Sequence, residues 1–288
     1  MTARFETTPE ELAGAYRDRG FAVARPLGAD FAGLVRAAAA DADRLAEATD
    51  DTAHASFRNA AGFFYHVAYP HLRAASFERL IRRPEISAIV RSLLGDRPVY
   101  VTHSKISYKY HEADQAWLPH QDSGYKAEAR EGFTICIHLE DVREANGALQ
   151  LFPGSHRLGR LPHARIVRPG DSAPQTAVRD MPEIAPEFVG GPMGSILYFA
   201  LDTIHQSPPN HTGGNRKILI FEVEPVGWLS NDEHGRPAIV INGRRSAVQS
   251  LLAMGWAALT APTRLLRQSR GLVRWIRRLN RRRAQAGA

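Results

Sequence analysis

The sequence predicts an α+β protein that is mainly β, with helices gathered towards the N-terminus and an antiparallel sandwich or barrel after them. Up to residue 94 the sequence carries three helical segments. From residue 99 the chain changes to short runs rich in β-branched and aromatic residues, separated by Gly, Pro, Asn and Asp. Helices first and strands later argue against an alternating parallel sheet. With 288 residues, 44% hydrophobic and 23% charged, the composition excludes a wholly disordered chain, a collagen and a disulfide-stapled mini-protein.

Each element has a local cause. Thr8-Pro9-Glu10-Glu11 is a capping box with Pro at the first helical position, so a helix runs to about Arg19 and Gly20 ends it. Phe21–Ala24 reads as a short strand. Residues 31–48, rich in Ala and Leu, predict a second helix, and 76–94 a third that Gly95 closes. Strands are expected at 99–109, 133–139, 147–152, 195–201 and 216–224. Residues 169–194 hold five Pro and four Gly and predict a long excursion, either a cover over a site or a disordered surface loop.

The net charge of +7 is unevenly placed. Residues 241–288 hold eleven Arg and no Lys, Asp or Glu, so +7 − 11 leaves −4 for residues 1–240. The chain divides accordingly into a body, 1–240, and a basic tail, 241–288. Segment 246–259 is apolar and helical in pattern. Beyond Pro262, Leu265, Leu266, Leu272, Val273, Trp275, Ile276 and Leu279 fall on one side of a helical wheel. Arg267, Arg270, Arg274, Arg277, Arg278 and Arg281 fall on the other. Such a basic amphipathic helix suits an anionic membrane surface, or packs on the body or a partner. A nucleic-acid role is disfavoured, because apart from Trp275 no aromatic interleaves with the Arg. The lone Cys136 implies a reducing compartment. The acidic N-terminal stretch around Glu6, Glu10, Glu11 and Asp18 does not read as a secretory leader, so a cytoplasmic location is expected.

The chemistry concentrates in a few residues. His120-Gln121-Asp122 on an extended segment puts an imidazole and a carboxylate on one face. The third ligand to a metal must come from far along the chain, and His205 stands where a β-rich run ends in a polar turn. Two His and one carboxylate form the facial triad of non-haem Fe(II) oxygenases, with open positions on the metal; zinc on the same ligands would make a hydrolase. Arg216 leads an otherwise apolar strand and is costly to bury without an anion. Its planar fork suits a carboxylate, to which Ser207 could add a hydroxyl, though a salt bridge to Asp or Glu remains open. His103, Lys105, Ser107 and Lys109 share one strand face, as do Thr134, Cys136 and His138.

The order His120-x-Asp122, Asn146-Gly147-Ala148-Leu149, Pro153-Gly154-Ser155-His156, His205-x-Ser207 and Arg216 resembles the phytanoyl-CoA dioxygenase family, a layout shared with ectoine hydroxylase. The resemblance covers roughly residues 10–225. It implies a double-stranded β-helix, a cupin-like jelly roll, that uses Fe(II), 2-oxoglutarate and O2. It implies His120, Asp122 and His205 as iron ligands, and Arg216 and Ser207 as holders of the far carboxylate of 2-oxoglutarate. A lysine joins them, Lys109 as first choice and Lys105 as second. Related halogenases lack the carboxylate that Asp122 supplies, so the implied outcome is hydroxylation with release of succinate and CO2. Cys136 departs from the family, which often carries another residue type there. His156 reads as a turn residue rather than a ligand. Desaturation, epoxidation or ring formation at the same site, and a non-catalytic membrane-docked scaffold, remain alternatives. The substrate is expected to be a small or lipid-like molecule, possibly anionic, with His103 and Tyr125 as candidate contacts and Phe64 and Tyr65 behind them.

Overall fold

The computed structural model describes residues 5–48, 57–58, 64–96, 99–111, 115–126, 131–169, 174–225 and 240–242. The segments 246–259 and 262–288, expected as tail helices, lie outside the described residues.

Helix α1 spans Pro9–Arg19, and its capping box forms as the sequence dictates: the Thr8 hydroxyl accepts from the Glu11 amide at 3.1 Å and the Glu11 carboxylate accepts from the Thr8 amide at 3.1 Å. Strand β1 is Phe21–Ala24, and helix α2 runs Gly28–Ala48, one turn longer at its start than its apolar pattern suggests. The helix expected over 76–94 is two helices, α3 at Ala75–Ile81 and α4 at Pro84–Leu94. Pro84 is the reason. It forces Arg83 into extended backbone (ψ 135) and starts a new helix at its own first position.

The remaining strands are β2 (Phe57–Arg58), β3 (Phe64–Ala68), β4 (Val99–Lys109), β5 (Trp117–His120), β6 (Phe133–His138) and β7 (Leu149–Leu151). After them come β8 (His163–Ile166), β9 (Gln175–Val178), β10 (Glu187–Val189), β11 (Ile196–Ala200), β12 (His205–Ser207), β13 (Arg216–Pro225) and β14 (Val240–Asn242). The larger sheet has the order β1-β11-β6-β13-β4-β3-β2, with β14 also on β4; the smaller has the order β10-β7-β12-β5. All named pairings are antiparallel, and together the sheets form a double-stranded β-helix.

Within the excursion, the described residues 174–194 form two strands that the Pro and Gly content does not suggest. Gln175–Val178 pairs with β8 and Glu187–Val189 pairs with β7. The β-forming run Gln175-Thr176-Ala177-Val178 lies between prolines that hide it in a composition window.

Period-two alternation sorts the larger sheet into two faces. Phe133, Ile135 and Ile137 of β6, Ile196 and Tyr198 of β11, and Leu219, Phe221 and Val223 of β13 join the core under the helices with Phe31, Val35, Phe77, Leu80 and Val90. The other parity faces the smaller sheet. There Cys136, Leu197, Phe199 and Ile218 pack with Leu151 and Val189. Polar residues of that same parity, Thr134, His138 and Arg216, are also buried, so the interior between the sheets is where the chemistry lies.

Candidate metal centre

Register brings the distant ligands together. Strands β5 and β12 pair with His120 directly opposite His205. Their rings lie 4.2 Å apart between centroids. The chain then leaves β5 in a 3-10 turn, Asp122–Tyr125, whose first residue turns its carboxylate back to the pair. Asp122 Oδ1 is 3.8 Å from His205 Nε2. One ligand atom from each of His120, Asp122 and His205 lies within 4.8 Å of the others, and all three residues are buried.

Local hydrogen bonds prepare these atoms. His120 Nδ1 donates to the Leu118 carbonyl at 2.7 Å, and His205 Nδ1 to the Thr203 carbonyl at 3.1 Å. Each bond keeps the proton on Nδ1 and leaves Nε2 as the metal-binding atom. The Thr134 hydroxyl donates to Asp122 Oδ2 at 2.5 Å. Gln121, fully buried between the two ligands, donates to the carbonyls of Gly159 (2.8 Å) and Asp202 (2.7 Å) and accepts from the Leu161 amide (2.8 Å). It thereby ties the first ligand segment to the turn that leads into His205. Ser155 Oγ accepts from the Ile204 amide at 2.9 Å, which fixes the residue before His205. His156 binds the Arg17 carbonyl instead, away from the triad.

Electrostatics favour the metal-ready protonation states. Burial and then the neighbouring His205 push His120 down to about 3, and burial likewise lowers His205. Burial alone would raise the Asp122 carboxyl, but His205, Lys105 and His120, with the Thr134 hydroxyl, hold it below the usual carboxylate range. At neutral pH the site is two neutral imidazoles and one carboxylate.

Arg216 opens β13 and is 1% exposed. Its Nη2 donates to the Gly147 carbonyl at 2.8 Å and to Ser207 Oγ at 3.3 Å, while Nε has no partner. Among the described residues no carboxylate pairs with it, so the salt bridge left open by the sequence is not made. Burial lowers its guanidinium to about 10, which still leaves it charged at neutral pH. A buried cation with an orphaned N–H fits an incoming carboxylate.

The two lysines divide in the opposite order to the sequence preference. The Lys109 ammonium donates to the carbonyls of Gln115 (2.6 Å), Ser207 (3.0 Å) and Pro208. Three acceptors saturate its three donors, so Lys109 acts as a clamp between strands and has no N–H left for a ligand. Lys105, two pleats along the same face, is the lysine whose charge acts on Asp122. Burial would lower it, but Asp122, Glu222, Tyr125 and Cys136 together hold it raised and charged.

Gly147 shows what the Asn146-Gly147 pair does between the ligand segments. Asn146 Oδ1 accepts from the Arg143 amide at 2.7 Å and closes the turn. Gly147 has φ +80, and a Cβ there would stand 2.7 Å from Lys109 Cδ and 2.8 Å from the Pro208 carbonyl. Its carbonyl receives both Arg216 Nη2 and Ser207 Oγ (3.0 Å).

Of the candidate substrate contacts, the Tyr125 ring stands edge-on to His120 at 5.7 Å and is 52% exposed. His103 is half-buried and engaged by Tyr69, with Nδ1 3.2 Å from the phenol oxygen. Phe64 and Tyr65 lie in β3, and their side chains are outside what is described. Sequence reasoning missed His66, which stacks on Trp117 at 4.9 Å. Burial, then the charges of Lys105, His103, His120 and Arg216, hold His66 well below its ordinary value, so it lies in the same interior. It sits on a strand that the apolar pattern did not reveal.

A double-stranded β-helix with two His and one carboxylate at its centre defines the non-haem iron oxygenase class. Residues 16–218 match the phytanoyl-CoA dioxygenase (PhyH) family, and the chain belongs to it. Among curated relatives it is 30% identical over 172 residues to a Stutzerimonas stutzeri protein described as "Probable alpha-ketoglutarate-dependent hypophosphite dioxygenase", covering 58% of this chain and 57% of that protein. It is 30% identical over 172 residues to the L-proline trans-4-hydroxylase of Streptomyces griseoviridis, covering 51% and 62%. The match therefore spans little more than half the length of these relatives. Among solved structures, the epimerase SnoN in complex with Fe3+, alpha-ketoglutarate and nogalamycin RO superposes with a TM-score of 0.59 at 25% identity, over 75% of this chain and 83% of that one. No helix among the described residues is long and apolar enough to cross a membrane.

Proposed function

We propose that this protein is an Fe(II)- and 2-oxoglutarate-dependent dioxygenase that hydroxylates an unactivated C–H bond of a small molecule, with release of succinate and CO2. The observation that carries this reading is one buried interior that holds both the His120, Asp122, His205 cluster and the unpaired Arg216. Iron on that cluster would supply the activation of O2 that no side chain can.

The chain's own residues supply positioning and charge. His120, Asp122 and His205 hold the metal through Nε2, a carboxylate oxygen and Nε2. Arg216 binds the far carboxylate of 2-oxoglutarate, and Ser207 joins it by turning its hydroxyl away from the Gly147 carbonyl. Lys105, rather than Lys109, is the lysine that balances negative charge beside the metal, because the Lys109 donors are already taken. The apolar residues Phe199, Leu151 and Ile218 exclude water from the interior. Asp122 keeps a protein carboxylate on the metal, which favours delivery of oxygen to substrate. The curated relatives named for hypophosphite and proline support a small substrate. The basic tail, 241–288, is a peripheral contact for anionic membrane at the cytoplasmic face.

The test is an anaerobic titration of apo-protein with Fe(II) and then 2-oxoglutarate. A visible metal-to-ligand charge-transfer band is expected in the wild type and lost in His205→Ala. Folded wild-type protein without the band would overturn the reading.

A further inference from the structure

A cavity of about 490 Å3 is lined by Gly124, Tyr125, Arg160, His163, Arg165 and Thr176, with a short apolar stretch between them. Its link to the triad is the turn that follows Asp122. Tyr125, which stands edge-on to His120, belongs to the 3-10 turn that begins with Asp122. Gly124 in that turn presses against the opposite wall, where a Cβ would lie 2.5 Å from His163 Nε2. The turn and the β8 hairpin are therefore in direct contact, and the cavity opens between them.

The charge of the lining is one-sided. Arg160 and Arg165 both contribute, and no Asp or Glu does. Arg165 Nη1 meets only a hydroxyl, Thr176 Oγ1, at 3.1 Å. Neither arginine pairs with a carboxylate among the described residues; the acid that influences neighbouring His163 is Asp202, outside the lining. This patch also opposes the sign of the body, residues 1–240, whose net charge is −4 (+7 − 11). A concave site of one sign concentrates counter-ions, and guanidinium forks bind planar or tetrahedral oxyanions with two parallel hydrogen bonds.

We infer that this cavity is a substrate subsite for a terminal oxyanion, a carboxylate or a phosphonate, held by Arg160 and Arg165 while the rest of the molecule reaches past Tyr125 to the metal. The inference rests on the dioxygenase reading for the word substrate, but the anion site stands on the cavity alone. Both oxyanions share the chemistry that the forks recognise.

The test uses the full chain loaded anaerobically with Fe(II) and saturating 2-oxoglutarate. Phenylphosphonate, phenylacetate and neutral benzyl alcohol are titrated by calorimetry into wild type, Arg160→Gln/Arg165→Gln and Arg160→Lys/Arg165→Lys. Expected is binding of at least one anion, with the alcohol at least tenfold weaker. The Gln pair loses at least tenfold for anions alone, the Lys pair recovers part of it, and the charge-transfer band is unchanged in all three. Whichever anion binds more tightly identifies the group. Equal affinity for the alcohol, unchanged anion affinity in the Gln pair, or no anion binding into the millimolar range overturns the inference. A missing band with anion binding retained would instead remove the dioxygenase reading and leave the anion site in place.

Discussion

Among the described residues, the Thr134 hydroxyl is the one side-chain hydrogen-bond donor to Asp122, at 2.5 Å, and both residues are buried. Thr134→Val removes that donor and conserves the shape of the side chain. A hydrogen bond to a charged group contributes about 1.5–3 kcal/mol, and a tenfold change in binding corresponds to about 1.4 kcal/mol. The variant should therefore bind metal about 10–100-fold more weakly, the usual range for losing an outer partner of a metal ligand. Thr134→Ser retains the oxygen and should stay within a few-fold of wild type. The assay is anaerobic Fe(II) binding in competition with a calibrated chelator, with circular dichroism as the control for folding. Wild-type metal affinity in Thr134→Val, or an equal loss in Thr134→Ser, would refute the reasoning.

Arg216→Gln should weaken 2-oxoglutarate binding by about 2–5 kcal/mol, read from the charge-transfer titration, while the apo-protein gains stability by losing an unpaired buried charge. Unchanged affinity would pass the role to Lys105. Gly147→Ala should lower the denaturation midpoint by at least the about 1–2 kcal/mol of a left-handed residue, since the +80° φ is compounded by the close Pro208 carbonyl; an unperturbed midpoint would mean that the turn relaxes freely. His138 is held down to about 4 by burial and then by Arg216, against an ordinary value of 6.5. The unfolded chain binds that proton first, so the stability is intact above pH 6.5 and is lost as pH falls towards 4, by about 3 kcal/mol in all. Urea melts of the apo-protein from pH 7 to 4 should be flatter in His138→Phe, and equal slopes would count against it. For the tail, Arg274→Glu/Arg277→Glu/Arg278→Glu should abolish binding of the full chain to anionic vesicles without changing the charge-transfer band; retained vesicle binding would discard the membrane role.

The helix-to-strand order, the α1 capping box and the limits of β4 and β13 were legible because each is set by a local rule: a side-chain cap, or alternation along an uninterrupted run. Pro84 was a local signal too, and the single helix over 76–94 fails on it. The candidate metal ligands were legible as residue types, through His-x-Asp on extended backbone, a His at a strand mouth and the order of motifs that carries the family resemblance. Their meeting was not, because it depends on β5 pairing with β12 in the register that sets His120 against His205.

Charge shows the same division. An Arg on a largely apolar strand called for an anion, but whether that anion is a protein carboxylate or a ligand was left open until the fold showed Arg216 with only the Gly147 carbonyl and Ser207 Oγ as partners. Which lysine serves the metal site did not follow from parity, since Lys105 and Lys109 share a face. The turn at Gly147 and the carbonyls of Gln115, Ser207 and Pro208 close around Lys109, and only Lys105 is left towards Asp122. Local propensity and pattern determine which residues are available to a face. Strand register and the carbonyls that converge from distant turns decide which of them keep a free hydrogen bond, because that depends on contacts the chain makes only when folded.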